Sequence, residues 1–452
     1  MEKKRLSNYL VLFPTSRSSF PLKIASISSR IGSSKRGLAD LCSPSKPRVF
    51  PSSGWENIDP LSPIEEESIP TYRAEKFFFV RIGEVFNKRY QVVGKLGYGS
   101  SATASDHRYT ALKVYTASNT VTREIEIYDH LRTIQSDHAG QTCLRPLIEI
   151  FQIQCPDRDR VHTCLVHPPL GISLDQLTPL LPDGVMSSAM VRTTMRNILA
   201  ALDFLHTEAR VIHTDLQPNN ILLGIKDDSI LSQFEQAEFE APVPRKVLED
   251  RTIYLSRPLP ISYGTPVLCD LGEARLGTDQ QTGDIMPDIY RAPEVILDMN
   301  WDSKVDIWNV GMVLIIAEIW DLFEHRHVFR ARNPARKLDD GYHLAEMQAV
   351  LGNPPLQFLA RSERSLQFWD KNGLWPSPDV NVDICWPFVL GKWKGAAPIP
   401  EHNLEVLEDR LKGDEKEDFL RFLRRMLCWL PEERASAKEL LFDPWVMHGL
   451  FK

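Results

Sequence analysis

The stretch His213-Thr-Asp-Leu-Gln-Pro-Asn-Asn220, taken with Asp270-Leu-Gly272 further on, decides how the whole chain is read. It supplies a carboxylate (Asp215), a carboxamide five residues later (Asn220) and a second carboxylate just ahead of a glycine (Asp270). Phosphoryl transfer from a metal-bound nucleotide uses these parts. One Asp orients and deprotonates the attacking hydroxyl, while an Asn and another Asp hold the metal ions that bridge the phosphates. Val211-Ile212 before the loop, Ile221-Leu222-Leu223 after it and Pro266-Val-Leu-Cys269 ahead of Asp270 read as short buried strands that end at the site. Either piece alone fits a surface turn rich in Asp, Asn and Pro equally well. Both in this order, with the matches below, make a catalytic loop.

At 452 residues the chain is long enough for two or three domains, or for one bilobed unit with tails. Its 43% hydrophobic and 25% charged residues are ordinary for a soluble globular protein. The net charge of -7 argues against nonspecific binding to nucleic acid and is compatible with a basic protein substrate. Seven scattered cysteines, with no Cys-x-x-Cys pair, are expected to be reduced thiols of an intracellular protein. The most apolar long stretch, Val310 to Trp320, contains Glu318 and is too short to cross a bilayer, so no membrane role is expected.

Residues 1–70 read as a disordered basic tail and linker. Met1 to Pro51 is rich in Ser, Lys and Arg, with only Glu2 and Asp40 acidic, a composition that also suits a mitochondrial transit peptide. The expected location is cytoplasm and nucleus, with mitochondrial targeting as the alternative. Ile64-Glu-Glu-Glu-Ser-Ile-Pro70 reads as an acidic linker. From Phe77 the pattern becomes strand-rich: Tyr90 to Gly99 is a strand running into a glycine turn, and Tyr109 to Tyr115 is a strand carrying Lys113 between apolar neighbours. Together they match a phosphate-covering loop followed by the strand whose Lys contacts the α- and β-phosphates. Val121 to Leu131 is an amphipathic helix with two acids able to pair with Lys113, Glu124 and Glu126, and its spacing favours Glu124. Leu165 to Gly171 reads as a strand entering a hinge, where backbone groups near Leu170 could hydrogen-bond adenine. A polar insertion at 227–263 has no assignable chemistry. Asp270 to Glu294 is a short activation segment ending in Ala-Pro-Glu, Asp306 is placed to anchor the catalytic loop, and Arg434 suits a buried pair with Glu294.

With these residues in hand, the chain from about Tyr90 to Leu450 resembles the eukaryotic protein kinases. Within them it is similar to the SR-protein kinase branch, in a fungal-type form. Four details carry the narrower likeness: Val80 to Tyr90 leading into the first strand, His-Thr-Asp at 213–215, Asp-Leu-Gly followed by Glu-Ala at 270–274, and the helical insert Gly341 to Pro355. The resemblance implies an α+β, bilobed fold, with a small β-rich N-lobe at 71–170 and a large, mainly helical C-lobe at 171–452. It implies ATP and Mg2+ as cofactors, with Leu96, Gly97, Gly99, Lys113, Leu170, Asn220 and Asp270 at the nucleotide and Asn220 and Asp270 on the metal. Asp215 is then the base, Lys113 and Glu124 an ion pair, and Gln217 a contact to the transferring phosphate. The implied substrates are serines in basic Arg-Ser-rich proteins such as splicing factors, phosphorylated by a monomer. Thr214, where most kinases have Arg, removes the usual receptor for a phosphorylated activation loop and so implies constitutive activity. An acidic docking groove is implied too, with Asp339, Asp340 and Glu346 as candidates.

Two departures stand out. Gln217 replaces the Lys usual two residues after the catalytic Asp, which loses a charge-assisted bond worth about 1–2 kcal/mol, or about a fivefold to thirtyfold rate penalty. More seriously, Thr103 and Lys113 are too close in sequence for a complete return strand, so the glycine-loop hairpin is truncated and the Val expected over adenine is missing. Weakened nucleotide binding, a strand rebuilt from other residues and an incomplete reading of the gene all stay open. A non-catalytic scaffold with weakened ATP binding is the competing class.

Overall fold

The computed structural model describes residues 7–14, 47–97, 109–117, 122–155, 160–277, 279–315, 329–370, 391–408 and 410–450. The N-terminal half is organised by a six-stranded sheet of order β2-β3-β1-β4-β6-β5. Its strands are β1 (Ser7–Pro14), β2 (Val85–Phe86), β3 (Tyr90–Gly97), β4 (Thr110–Tyr115), β5 (Glu149–Gln154) and β6 (Val161–His167), and every neighbouring pair is antiparallel.

The order corrects one expectation and selects among the alternatives left open for another. Residues 7–14 are not a disordered tail: they form the strand between β3 and β4, where a glycine-loop hairpin would have placed its return strand. A sheet with a missing central strand would expose two rows of unpaired N–H and C=O groups, and an apolar β-prone run supplies what they need. The truncation is therefore repaired from elsewhere in the chain, with Tyr9 in register with both Gly97 and Lys113, and Val11 with both Gly94 and Ala111. Gly99 and residues 98–108 lie outside the described residues.

Alternation along β4 separates the two faces of this sheet. Leu112 and Val114 join Tyr90, Val92, Cys164 and Val166 beneath Phe78, Val80 and Phe86. Lys113 faces the opposite side, toward helix α1 (Thr122–Thr133).

The C-terminal half is mainly helical. Its core gathers α3 (Ser188–Asp203), α6 (Lys304–Ile315) and the helix Gly413–Arg424, with short α2 (Leu174–Leu177) and α5 (Pro293–Ile296) at the edges. The side chain of Ser187 caps α3 by accepting from Met190 N–H. Two small antiparallel pairs reach the cleft, β8 (Ile221–Leu223) with β11 (Pro266–Leu268), and β7 (Val211–Ile212) with β12 (Arg275–Leu276). No described helix is long and apolar enough to cross a membrane.

The insertion between β8 and β11 is folded. It contains α4 (Ser229–Glu240) and the ribbon β9 (Arg245–Val247) with β10 (Thr252–Tyr254). It leaves the C-terminal half and packs against the N-terminal sheet. Phe234 lies so close to Gly94 that a Cβ there would fall 2.6 Å from the ring. Tyr109 Oη donates to Glu235 at 2.6 Å, and Arg257 N–H donates to Lys95 carbonyl at 3.0 Å. The supposed acidic linker is the third component of this wall. Glu66 pairs with Lys95 at 2.6 Å, Glu67 with Lys246 at 2.9 Å, and Glu65 accepts from Ser256 N–H at 2.7 Å. Phe50 stacks on Phe239 at 4.4 Å, and the Arg245 guanidinium lies between Trp55 and Tyr254, 4.0 and 4.7 Å from the ring centres. Residues 47–68 thus belong to the folded body, because Glu65, Glu66 and Glu67 each have a cationic or N–H partner in β3 or the insertion.

Candidate active site

The site lies where the two halves meet. Lys113 on β4 is buried, and its Nζ donates to Glu124 Oε2 at 3.0 Å, to Oε1 at 3.3 Å and to Asp270 Oδ1 at 2.9 Å. Glu124 is buried on the inner face of α1 while Glu126 is exposed, so the spacing argument singled out the acid that meets Lys113. One ammonium thereby ties the sheet, the helix and the strand-end carboxylate together.

Asp270 sits in a left-handed turn (φ +63°) that aims its carboxylate back toward the lysine. Burial pushes its carboxyl up, but the Lys113 charge and hydrogen bond, with the Gly272 N–H, outweigh burial and hold it at about 2. Asp215 shows the opposite balance. Desolvation and the nearby Asp270 charge raise it to about 7, against hydrogen bonds from Asn220 and Gln217 that favour the ionised form. Gln217 Nε2 donates to Asp215 Oδ1 at 2.8 Å; Asn220 Nδ2 donates to Asp215 Oδ2 at 2.9 Å and to its carbonyl at 2.7 Å. Two carboxylates in one cleft are thus pushed to opposite ends of the scale, as an acid-base site requires.

The loop that carries Asp215 is held from below. Asp306 at the start of α6 accepts from His213 N–H and Thr214 N–H, both at 2.8 Å, and from His206 Nε2 at 2.8 Å. Thr214 Oγ1 donates to Glu273 carbonyl at 2.7 Å. The residue standing where an Arg is usual therefore fastens the catalytic loop directly to the first turn of the activation segment. That segment continues by pairing β12 with β7, and Gly277 N–H donates to Arg210 carbonyl at 2.7 Å. At its end Glu294 forms a two-pronged pair with Arg434, at 2.6 and 2.7 Å, both side chains fully buried.

Leu96 and Gly97 end β3, where Leu96 packs with Val93, Tyr109, Ala111 and Phe234, and Leu170 packs with Leu222, Cys269 and Val267 where the chain passes between the halves. The three docking candidates are committed elsewhere. Asp339 caps α7 (Asp340–Leu351) by accepting from Gly341 and Tyr342 N–H, Asp340 pairs with Arg364, and Glu346 accepts from Arg330 and Ala331 N–H. The cavity between the halves is lined by Lys113, Glu124, Asn220 and Asp270, and also by Arg145 and His167. Sequence reasoning passed over these last two. The available signal was a lone Arg inside the apolar run Cys143-Leu-Arg-Pro-Leu-Ile148, and a His ending the apolar strand that leads into the hinge.

A β-sheet half and a helical half closing on a Lys–Glu–Asp constellation define the bilobed class of phosphotransferases. Comparison with known proteins makes the class specific. The protein kinase domain profile matches residues 90–256 and 257–446. A serine/threonine protein kinase of Aspergillus fumigatus is 42% identical over 415 residues, covering 89% of this chain and 96% of its own. More distant relatives are a serine/threonine-protein kinase named SRPK from Physarum polycephalum, 27% identical over 84% of this chain and 91% of its own, and the human dual specificity tyrosine-phosphorylation-regulated kinase 3, 27% identical over 79% and 54%. The chain belongs to the protein kinase family, and it is a serine/threonine protein kinase.

Proposed function

We propose that the protein transfers the γ-phosphoryl group of Mg-ATP to serine in Arg-Ser-rich basic proteins, and that it does so without phosphorylation of its own activation segment. One observation carries the catalytic part: buried Lys113 bridges Glu124 and Asp270 while Asp215 is held near pH 7 beside them.

Asp215 accepts the hydroxyl proton of the substrate serine as its oxygen attacks, and a base poised near neutrality suits that task. Lys113 orients the α- and β-phosphates, and Glu124 keeps its ammonium in place. Gln217 offers a neutral N–H toward the transferring group. Asn220 and Asp270 are two hard oxygen donors, and no cluster of three or more His, Cys, Asp or Glu able to hold a metal occurs among the described residues. Such a pair fits Mg2+, which keeps several waters and takes phosphate oxygens as further ligands. Bound there, the metal would neutralise charge developing on the phosphates.

The Thr214–Glu273 bond and the β7–β12 pairing support activity without a loop phosphate, because they order the activation segment from within. The substrate class is supported by likeness to the SR-protein kinase branch and by acidic residues along the activation segment, with Asp279 and Asp284 largely exposed. A mitochondrial presequence removed by cleavage would take β1 with it, so the N-terminal strand favours cytoplasmic and nuclear residence.

The test is transfer of labelled phosphate from Mg-ATP to an Arg-Ser repeat peptide, with Asp215→Ala and a Ser-Pro peptide run alongside. Transfer to the Arg-Ser peptide that vanishes in the variant is expected. Equal transfer to both peptides would reject the substrate class, and no transfer above the variant would reject phosphotransfer.

A further inference from the structure

The strands β3 and β4 follow one another in sequence, yet in the sheet they do not pair. Between β3, which runs into the glycine turn, and β4, which carries Lys113, stands β1. Tyr9 is in register with Gly97 on one side and Lys113 on the other, and Leu10 with Lys95 and Leu112. No other described strand pairs with both β3 and β4. Without β1 the sheet falls into two pieces, β2-β3 and β4-β6-β5, with an open row of N–H and C=O groups on each.

Both walls of that slot are supported independently of β1. β4 pairs with β6 from Ala111 to Val114, and Leu112 and Val114 are buried in the core beneath. β3 is pinned from outside: Gly83 N–H donates to Val92 carbonyl at 2.8 Å, Lys95 pairs with Glu66 at 2.6 Å, its carbonyl accepts from Arg257 N–H at 3.0 Å, and the Phe234 ring closes over Gly94. At its start, Tyr90 Oη donates to Glu149 Oε2 on β5 at 2.5 Å. Two supported strand edges facing one slot make a site that recognises an extended peptide through its main chain.

The connection to β1 points the same way. Pro14 is in register with Tyr90. The side chain of the next residue, Gln91, donates from Nε2 to Arg48 carbonyl at 2.7 Å and accepts from Arg48 N–H at 2.8 Å. Residues 15–46 therefore join two points at the same end of β3, although a chain of that length spans roughly 100 Å when extended. A tight turn would have closed the gap. A long tether instead presents β1 as a ligand, at an effective concentration on the order of millimolar.

We propose that the slot between β3 and β4 is a peptide-binding site whose ligand is the chain's own N-terminal strand, and that its occupancy sets nucleotide affinity. Docked β1 holds the glycine end of β3 in register with Lys113; when it undocks, that register is lost and the two sides of the phosphate site separate. The inference rests on the phosphotransfer reading above, and binding of the strand itself gives a readout independent of nucleotide.

The experiment places a protease cleavage sequence within residues 15–46, so that the full chain folds before it is cut. The freed strand is removed by gel filtration, and a labelled peptide of Ser7–Pro14 is titrated in and followed by fluorescence anisotropy. Mg-ATP dissociation constants are measured before cutting, after strand removal and after peptide addition. The peptide is expected to bind saturably with a dissociation constant below about 1 mM, since a strand tethered at millimolar effective concentration is docked in the intact chain. Strand-free protein should bind Mg-ATP about tenfold to a hundredfold more weakly, equivalent to one or two hydrogen bonds to phosphate, and saturating peptide should restore the intact value. A peptide carrying Leu10→Pro lacks a main-chain donor at the position in register with Lys95 and Leu112, and should bind at least about tenfold more weakly. A labelled peptide that never enters the cut chain, or that enters without moving Mg-ATP affinity, overturns the proposal and leaves the kinase reading intact. Peptide binding with no Mg-ATP binding by the uncut chain overturns both the phosphotransfer reading and the coupling to nucleotide. An uncut chain that runs as a dimer and loses Mg-ATP affinity on dilution overturns docking of the chain's own strand in favour of one supplied by a second copy.

Discussion

The floor and the front wall of this nucleotide cleft are built in opposite ways. The floor, from His213 to Asn220 with Asp270, comes from two contiguous motifs, and its key contacts run over short local geometry or to one buried anchor, Asp306. The front wall is assembled from four segments far apart in sequence: β1, residues 47–68, β3 and the insertion carrying α4. Chemistry concentrates in the first and stability in the second. Substitutions in the floor should therefore change rate with little change in fold, and those in the wall should do the reverse.

The largest effect is expected from Asp215→Asn. Removing the base should lower kcat about 10^3-fold, roughly 4 kcal/mol of barrier. With the base near 7, kcat/KM of the wild type should fall tenfold per pH unit below that value and level off above it. The same shift makes a stability prediction of defined sign. Because the folded state raises this carboxyl from 3.8 to about 7, it disfavours the ionised form. The resulting penalty is absent below pH 4, grows between 4 and 7, and is complete above 7. Thermal melts of the nucleotide-free protein should therefore show Asp215→Asn stabilised at pH 8 and unchanged at pH 4. A variant equally destabilised at both values would break the separation of floor from wall.

Phe234→Ala tests the wall. This ring is buried against Gly94, and its loss should cost about 3 kcal/mol of unfolding free energy, read by denaturant melts. The value of kcat at saturating nucleotide should hold within about twofold. Leu10→Pro, in register with Lys95 and Leu112 in the middle of the sheet, should cost somewhat less, about 2–3 kcal/mol, since it removes a ladder N–H from a strand paired on both sides. If Leu10→Pro left melting unchanged, β1 would not be what completes the sheet.

The contrast also explains what could be read in advance. The lysine, its glutamate partner and the Glu294–Arg434 pair were legible from their positions relative to the other motifs, although each charge taken singly reads as a solvated surface residue. The disordered-tail reading failed on Ser7 to Pro14 because composition over Met1 to Pro51 averages away one five-residue apolar run, Tyr9 to Phe13, closed by a proline. That run becomes a strand only when matched to the gap beside β3, a non-local fact. The triple glutamate misled in the same way, since three acids in a row look solvated until Lys95, Lys246 and Ser256 are brought to them. In each case local propensity was overruled by a partner more than twenty residues away.

Gln217 is the floor's one compromise and gives the smallest and sharpest test. Its amide donates to Asp215 Oδ1 at 2.8 Å, so it holds the base and offers only a neutral donor to the phosphate. Gln217→Lys should raise kcat about fivefold to thirtyfold, the 1–2 kcal/mol gained when a neutral hydrogen bond becomes charge-assisted. The added ammonium beside Asp215 should also favour its ionised form, moving the acid limb of the rate profile below pH 7. The two effects separate the roles of one side chain. A faster enzyme with an unmoved limb would place residue 217 at the phosphate alone, and a moved limb without acceleration would place it at the base alone. Neither change would mean that the floor tolerates its departures as readily as the wall tolerates its borrowed strand.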